Sequence, residues 1–265
     1  MKKLVLAFAA VAAFSGSALA ADLPAHTYTK APVVVPPPPT WTGCYIAGGG
    51  GGGVYTDSNS FLKFNATGAA ATTQTSQGGS GWLGTVQAGC DYQFAGTNWV
   101  VGGFADGDWT NIKGTHTGDN PAAIGLNTQG NLTINDQFAI GGRVGYLVFP
   151  TLLSYVSAGY TQANMSGVTY TNLAGGLTGD NIGKQNYSGW FIGTGDEYSL
   201  ANWLPGLFWK TEYRFSDFNT RDVPVIVTAT GLPNGFSEHT HFYENLVRTE
   251  LVYRFNWGGP LVAKY

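Results

Sequence analysis

The chain has few charged side chains, and their scarcity excludes several classes of protein. Asp, Glu, Lys and Arg make up 11% of the residues, whereas soluble domains average about 25%. Disordered chains combine high charge with few aromatics, but aromatic residues reach 14% here. A formal net charge of −3 argues against a nucleic-acid-binding protein. Beyond the N-terminal segment no apolar run reaches about 18 residues, so the sequence offers no candidate transmembrane helix.

The residues that are abundant favour β-structure. Glycine supplies 39 of the 265 residues, and Tyr, Trp, Thr and Asn are frequent, while Lys, Glu and Leu are scarce. Overall hydropathy is close to neutral. Outer-membrane barrels combine modest hydrophobicity with a surface that faces lipid, because only alternate residues of each strand face outward. The composition therefore points to this architecture.

The first forty residues read as targeting and tether sequence. Residues 1–20 have a basic start, an eleven-residue apolar stretch and the Ala18–Ala20 motif. These are the features of a signal peptide cleaved between Ala20 and Ala21. Residues 21–40 contain six of the twelve prolines. Proline cannot donate to a sheet ladder, so we predict a Pro-rich periplasmic linker there.

Residues 41–265 are predicted to form an all-β, eight-stranded antiparallel up-and-down transmembrane β-barrel. The connections between strands alternate between short turns and loops of about twenty residues, as in outer-membrane barrels. An even number of strands places both termini in the periplasm. The last strand is expected to end near residue 255, leaving 256–265 as a short periplasmic tail. By period-two alternation the strands are 42–55, 80–94, 98–110, 134–148, 151–164, 187–199, 207–218 and 242–255.

Strand parity predicts an apolar outer face and a charged interior. The inward-facing acids and bases are nearly equal in number, so we expect a salt-bridge network that fills the lumen. A narrow hydrophilic pore lined by the same charges is the alternative. The predicted network consists of Asp91, Asp106, Asp108, Arg143, Glu197, Lys210, Glu212, Arg214, Arg248, Glu250 and Arg254.

Cys44 and Cys90 fall on the outward parity of adjacent strands near the same rim. An oxidising compartment permits a disulfide between them if they lie directly opposite each other. Otherwise they are two separate small apolar residues that face lipid. The sequence does not fix the strand register closely enough to decide between these alternatives.

Histidines are too few to indicate a conventional catalytic or metal site. His239 and His241 are spaced to share one face of an extended segment, but two ligands do not make a metal site. No arrangement of His, Ser and Asp indicates a catalytic triad. We therefore expect no enzyme activity, no metal and no cofactor.

Several segments together resemble one family. The chain resembles the small outer-membrane β-barrel family of alphaproteobacteria, also described as porin-family or outer-membrane immunogenic proteins. It departs from the family pattern at Cys44, Cys90, Phe104 and Asp196. The segments that carry the resemblance are ADLP at 21–24, WTGCYIAGGGGG at 41–52, GWLGTVQAGCDYQF at 81–94, NWVVGGFADGDW at 98–109, RVGYLV at 143–148, GWFIGTGDEY at 189–198, WKTEYRFSDF at 209–218 and VRTELVYRFNWGGPLVAKY at 247–265.

The resemblance implies a barrel like the OmpA membrane domain, with an envelope-structural, surface-exposed role in a Gram-negative outer membrane. A small-solute porin is the alternative function. The implied partners are outer-membrane lipids, including lipopolysaccharide, and the barrel-assembly machinery, with no nucleic acid. A terminal aromatic residue is the assembly signal of this class. Phe255 ends a regular alternating series, whereas Pro260 interrupts the pattern before the terminal Tyr265. We therefore expect the barrel to close at Phe255, with Tyr265 as the alternative signal.

Overall fold

The computed structural model describes residues 41–119, 127–172 and 174–255. The predicted signal peptide (1–20, with cleavage between Ala20 and Ala21), the linker (21–40) and the tail (256–265, with Tyr265) lie outside the described residues. No helix in the described ranges is long and apolar enough to cross a membrane.

The described residues form twelve β-strands, and every pairing between them is antiparallel. The strands are β1 (Gly43–Phe64), β2 (Thr75–Gln93), β3 (Trp99–Asp119), β4 (Asn127–Phe149), β5 (Leu152–Met165), β6 (Val168–Asn172), β7 (Leu177–Ile182), β8 (Gln185–Ser199), β9 (Leu207–Phe218), β10 (Arg221–Val227), β11 (Leu232–Thr240) and β12 (Phe242–Phe255).

Eight of these strands pair in a closed circuit, which we call the primary ring. Its order is β1–β2–β3–β4–β5–β8–β9–β12, and β12 returns to β1. Each of the eight contains one of the segments predicted as strands from the alternation of apolar and polar residues, apart from a single end residue in four of them. Closure leaves no free edge within this ring, so backbone groups there find partners without water.

We call the end of the primary ring at Cys44 and Phe255 the lower end, and the opposite end the upper end. The upper halves of β1–β4 belong to a second circuit, which we call the second ring. It runs β1–β2–β3–β4–β6–β7–β10–β11, and β11 returns to β1. The prediction of eight strands was therefore too low, and the predicted long loops were wrong in part. Their residues extend β1–β4 and form the hairpins β6–β7 and β10–β11. These added strands are short, and β10 contains Pro224 at a register shift, so period-two alternation did not reveal them.

Glycine lets β1 approach β12 where the primary ring closes. A Cβ on Gly49 would lie 2.0 Å from the backbone oxygen of Thr249, and one on Gly51 would lie 2.0 Å from that of Val247. Any side chain at either position would push the two strands apart. The glycine run therefore serves close backbone packing at the seam.

Candidate functional site

The outer surface of the primary ring carries a broad apolar band. Its middle consists of exposed aliphatic side chains on several strands, among them Val86, Ile140, Val156, Ile192 and Leu251. More than half of the surface of Ile140, Val156 and Leu251 is accessible. Exposed apolar patches on water-soluble monomers rarely exceed a few hundred Å², so a band that follows the whole ring indicates an apolar surrounding medium.

Two belts of aromatic residues border this band. Trp82 in the upper belt and Tyr92 in the lower belt lie on β2, about ten residues apart, which is about 33 Å along the strand. With the usual strand tilt of outer-membrane barrels, the two belts are about 25 Å apart, the height of the apolar band in this class. The upper belt comprises Trp82, Trp109, Phe138, Tyr160, Trp190 and Tyr213, and the lower belt comprises Tyr92, Trp99, Tyr146, Tyr198, Trp209 and Tyr253.

The interior of the ring contains the opposite chemistry. All eleven charged residues predicted to line the lumen are buried. They come from β2, β3, β4, β8, β9 and β12, where inward and outward side chains alternate. The structure brings them together in two groups of ion pairs and a lysine–glutamate pair that is linked to one of these groups.

The lower group is a four-membered cycle of charges. Arg143 contacts Asp91 at 2.5 Å and Glu197 at 3.2 Å. Arg254 contacts the same two acids, at 2.6 Å and 2.7 Å. Two guanidinium groups therefore share two carboxylates, and each charge has an opposite charge on two sides. Such charge-assisted hydrogen bonds compensate for the removal of these groups from water.

The upper group joins two arginines to three acids. Arg248 lies 3.1 Å from Asp108 and 2.6 Å from Glu212. Arg214 contacts Asp106 at 2.7 Å and the same Glu212 at 2.9 Å. A contact of 3.3 Å between Arg248 and Asp106 completes the connection. The group spans β3, β9 and β12 across the barrel interior.

A lysine–glutamate pair completes the predicted set. Lys210 Nζ lies 2.7 Å from Glu250 Oε2 and donates a hydrogen bond of 2.6 Å to Gln87 Oε1. Gln87 in turn donates to Asp106 of the upper group at 3.2 Å. The connection to the upper group therefore passes through the uncharged amide of Gln87. The set of lumen residues predicted from sequence contains charged residues alone and so omits Gln87, although Gln87 has the inward parity of β2.

Aromatic rings fill space around the guanidinium groups. The Arg254 guanidinium carbon lies 5.1 Å from the Trp41 ring centroid, and that of Arg214 lies 4.1 Å from Phe191. The ring of Phe104 lies 5.7 Å from the same guanidinium carbon of Arg214. These distances suit cation–π attraction. The rings replace water around charges that would otherwise be hydrated.

Cys44 and Cys90 lie directly opposite each other on β1 and β2. Their sulfur atoms form a disulfide, with the Cα atoms 3.9 Å apart. The bond ties the two strands together beside the point where Phe255 of β12 pairs with Cys44. It therefore lies near the seam that closes the primary ring.

The two histidines considered from sequence do not share a ligand. His239 Nδ1 lies 2.7 Å from Asp222, and His241 Nε2 lies 2.8 Å from Asp217. Their neighbour Glu238 is buried instead against a third histidine, His116 of β3. Sequence reasoning missed this contact, because the two residues are far apart in the chain and meet only through the second ring.

A buried cluster within the second ring contains Asp57, His116 and Glu238. Burial raises the pKa of Asp57 to about 7. For His116, burial favours the neutral ring, but the attraction of Glu238 and Asp57 outweighs it and raises the pKa. Burial also opposes ionisation of Glu238, yet His116 and the hydroxyl donors of Tyr170 and Ser60 lower its pKa. These opposing shifts reflect two acids and one imidazole in a single apolar enclosure.

Comparison with known proteins places the chain in no family. No family model and no curated protein matches it. Among solved structures, Ail, the attachment invasion locus protein of Yersinia pestis, is 9% identical with a TM-score of 0.32, over 78% of this chain and 99% of that one. OprG from Pseudomonas aeruginosa is 12% identical with a TM-score of 0.42, over 82% and 99%. The outer-membrane protease OmpT from Escherichia coli is 12% identical with a TM-score of 0.29, over 82% and 98%.

Identities and TM-scores this low assign neither a family nor an activity. The function of the chain must therefore follow from its own surfaces and interior.

Proposed function

We propose that the protein is an integral outer-membrane β-barrel of a Gram-negative bacterium, with an envelope-structural and surface-exposed role. The observation that carries the proposal is the exposed apolar band between two aromatic belts, around an interior filled with ion pairs. A water-soluble barrel has the reverse arrangement, with apolar side chains inside and charges outside. In this proposal the primary ring spans the membrane with eight strands.

The pairing of strand ends supports one orientation. Cys44 pairs with Phe255, so the first and last strands of the primary ring end together at the lower belt. The short β2–β3 and β4–β5 turns lie at the same end. Outer-membrane barrels place short turns in the periplasm and long connections outside. We therefore place residues 21–40 and 256–265, and both termini, in the periplasm, and the second ring at the cell surface.

The ion-paired interior supports a structural role over a small-solute channel. The two arginine groups and the Lys210–Glu250 pair occupy the lumen with side chains that contact one another. Removing one member would leave the remaining buried charges with fewer opposite charges beside them, which is costly in the interior. In this proposal the lumen has a structural role, with no cofactor and no enzyme activity.

The proposed partners follow from the same surfaces. Outer-membrane lipids, including lipopolysaccharide in the outer leaflet, would cover the apolar band. The barrel-assembly machinery would insert the chain, with Phe255 at the end of β12 as the assembly signal and Tyr265 as the alternative. Nucleic acid has no part in the proposal.

Fractionation and conductance test the proposal together. We expect a heat-modifiable band in the outer membrane, because a folded barrel migrates differently from the unfolded chain. Trypsin added to intact cells should reach the exposed Lys184 at the second-ring side and spare the buried Arg143. In planar bilayers the purified protein should show little conductance. Recovery from the soluble periplasm would refute the membrane assignment, and a large, steady conductance would favour the channel.

A further inference from the structure

The second ring encloses a cluster of three metal-ligating side chains from three strands. Asp57 comes from β1, His116 from β3 and Glu238 from β11. One ligand atom from each lies within 4.8 Å of the others, and all three side chains are buried. His116 Nε2 contacts Glu238 Oε1, while His116 Nδ1 lies 3.8 Å from Asp57 Oδ2.

The charge balance of this cluster differs from that of the eleven-residue network in the barrel lumen. In the lumen network, each acid contacts an arginine or lysine at close range. Within the described residues, no lysine or arginine forms an ion pair with Asp57 or Glu238, and His116 is their shared basic neighbour. Two buried carboxylates that share one imidazole would gain from a further positive charge.

One oxygen of the Asp57 carboxylate lacks a close partner. Asp57 Oδ2 is buried and has no hydrogen-bond partner among the described residues. Its distance of 3.8 Å from His116 Nδ1 is too long for a hydrogen bond. The other oxygen, Oδ1, accepts from the His241 backbone N–H at 3.2 Å. A buried polar atom without a partner is costly, so an unfilled position in such a cluster points to a ligand.

A small cavity of mixed polarity connects the exposed side of the second ring with Glu238. Its volume is about 20 Å³, enough for a water molecule or a small ion. The wall includes Glu238 and Ser60 on the buried side and the exposed Thr75 and Thr117 on the outer side. A small ion that enters from the exposed threonines therefore reaches the carboxylate of Glu238, the member of the cluster that lines this cavity.

We propose that Asp57, His116 and Glu238 bind a zinc-like divalent transition-metal cation. One imidazole nitrogen and two carboxylate oxygens are the donors that zinc accepts, and three protein ligands leave a position for water. Binding replaces the His116–Glu238 contact. The hydroxyls of Ser60 and Tyr170 donate to Glu238 at 2.9 Å and 2.7 Å and hold that carboxylate in place. The bound ion links β1, β3 and β11, and so stabilises the second ring.

Equilibrium dialysis of the refolded full-length protein against Zn²⁺ tests this site. After treatment with a chelator, the wild-type protein in detergent should bind one zinc ion per chain. Calcium should not displace it, because calcium prefers an all-oxygen shell. His116→Gln and Asp57→Asn should each weaken zinc binding by at least about tenfold. The heat-modifiable band establishes that each variant is folded, and the near-isosteric Asp57→Asn serves as the test if His116→Gln does not fold.

His239→Gln and His241→Gln are the matched controls. Both histidine side chains are partly exposed and contact Asp222 and Asp217 instead of the buried cluster. His241 contacts Asp57 only through its backbone N–H, which the substitution retains. Both variants should retain the zinc ion. Zinc saturation should also slow proteolysis of the second ring in the wild type and in both controls, but not in Asp57→Asn. Absence of zinc binding by the wild type, unchanged binding by folded Asp57→Asn, or loss of binding in a control would each overturn the proposal.

Discussion

Substitution of a single residue, Arg143, tests the proposal that ion pairs fill the lumen. It contacts Asp91 and Glu197, and both of these acids are buried. Arg143→Ala would leave the two carboxylates to share Arg254 alone. Breaking a buried pair typically costs about 3–5 kcal/mol. We expect a loss of this size in the free energy of unfolding, measured by urea titration of the protein in lipid vesicles.

Lys63 supplies the matched control at the residue scale. It pairs with Asp222, and both side chains are partly exposed to solvent. Exposed pairs typically contribute less than about 1 kcal/mol, so Lys63→Ala should change the free energy of unfolding little. Equal losses in Arg143→Ala and Lys63→Ala would mean that the lumen ion pairs are hydrated, as in an open channel.

At the scale of strands, the seam between β1 and β12 depends on glycine. A Cβ on Gly51 would lie 2.0 Å from the Val247 backbone oxygen, whereas one on Gly48 would lie 3.9 Å from that of Thr85. Gly51→Ala must separate the strands that close the primary ring, so we expect a loss of about 1–3 kcal/mol or more. Gly48→Ala should stay within about 0.5 kcal/mol. The heat-modifiable folded fraction across a urea series measures both, and equal effects would contradict this account of the seam.

The strands also show how far sequence reasoning could go. Period-two alternation located the eight strands of the primary ring, because each has one face toward an apolar medium and the other toward charges. It did not locate β6, β7, β10 and β11, which are short and pair mainly with one another or with the extended ends of β1 and β4. Their existence depends on long-range pairing that local patterns do not encode.

The candidate sites also divide into one that the alternation of residues predicts and one that depends on long-range pairing. Inward parity brought together the lumen charges, because alternation extends through the whole of each primary strand. Continuing that parity upward on β1 and β3 would have placed Asp57 and His116 inside as well. Glu238 gives no such signal, since Pro233 and Gly235 in β11 favour a loop in the sequence pattern. The three-residue cluster therefore required the topology of the second ring.

At the scale of the whole molecule, the proposed membrane distinguishes two leucines that are both more than half exposed. Leu251 lies in the middle of the apolar band and is 56% exposed, whereas Leu232 lies on the second ring and is 64% exposed. Arginine on the lipid face near the bilayer midplane costs about 2–4 kcal/mol, while arginine in water costs little. Leu251→Arg should therefore lower the free energy of unfolding of the protein in lipid vesicles by about that amount, and Leu232→Arg should leave it nearly unchanged. If both substitutions are neutral, water surrounds the primary ring and the membrane proposal fails. If both are equally harmful, the second ring lies in lipid as well, and its placement at the cell surface is wrong.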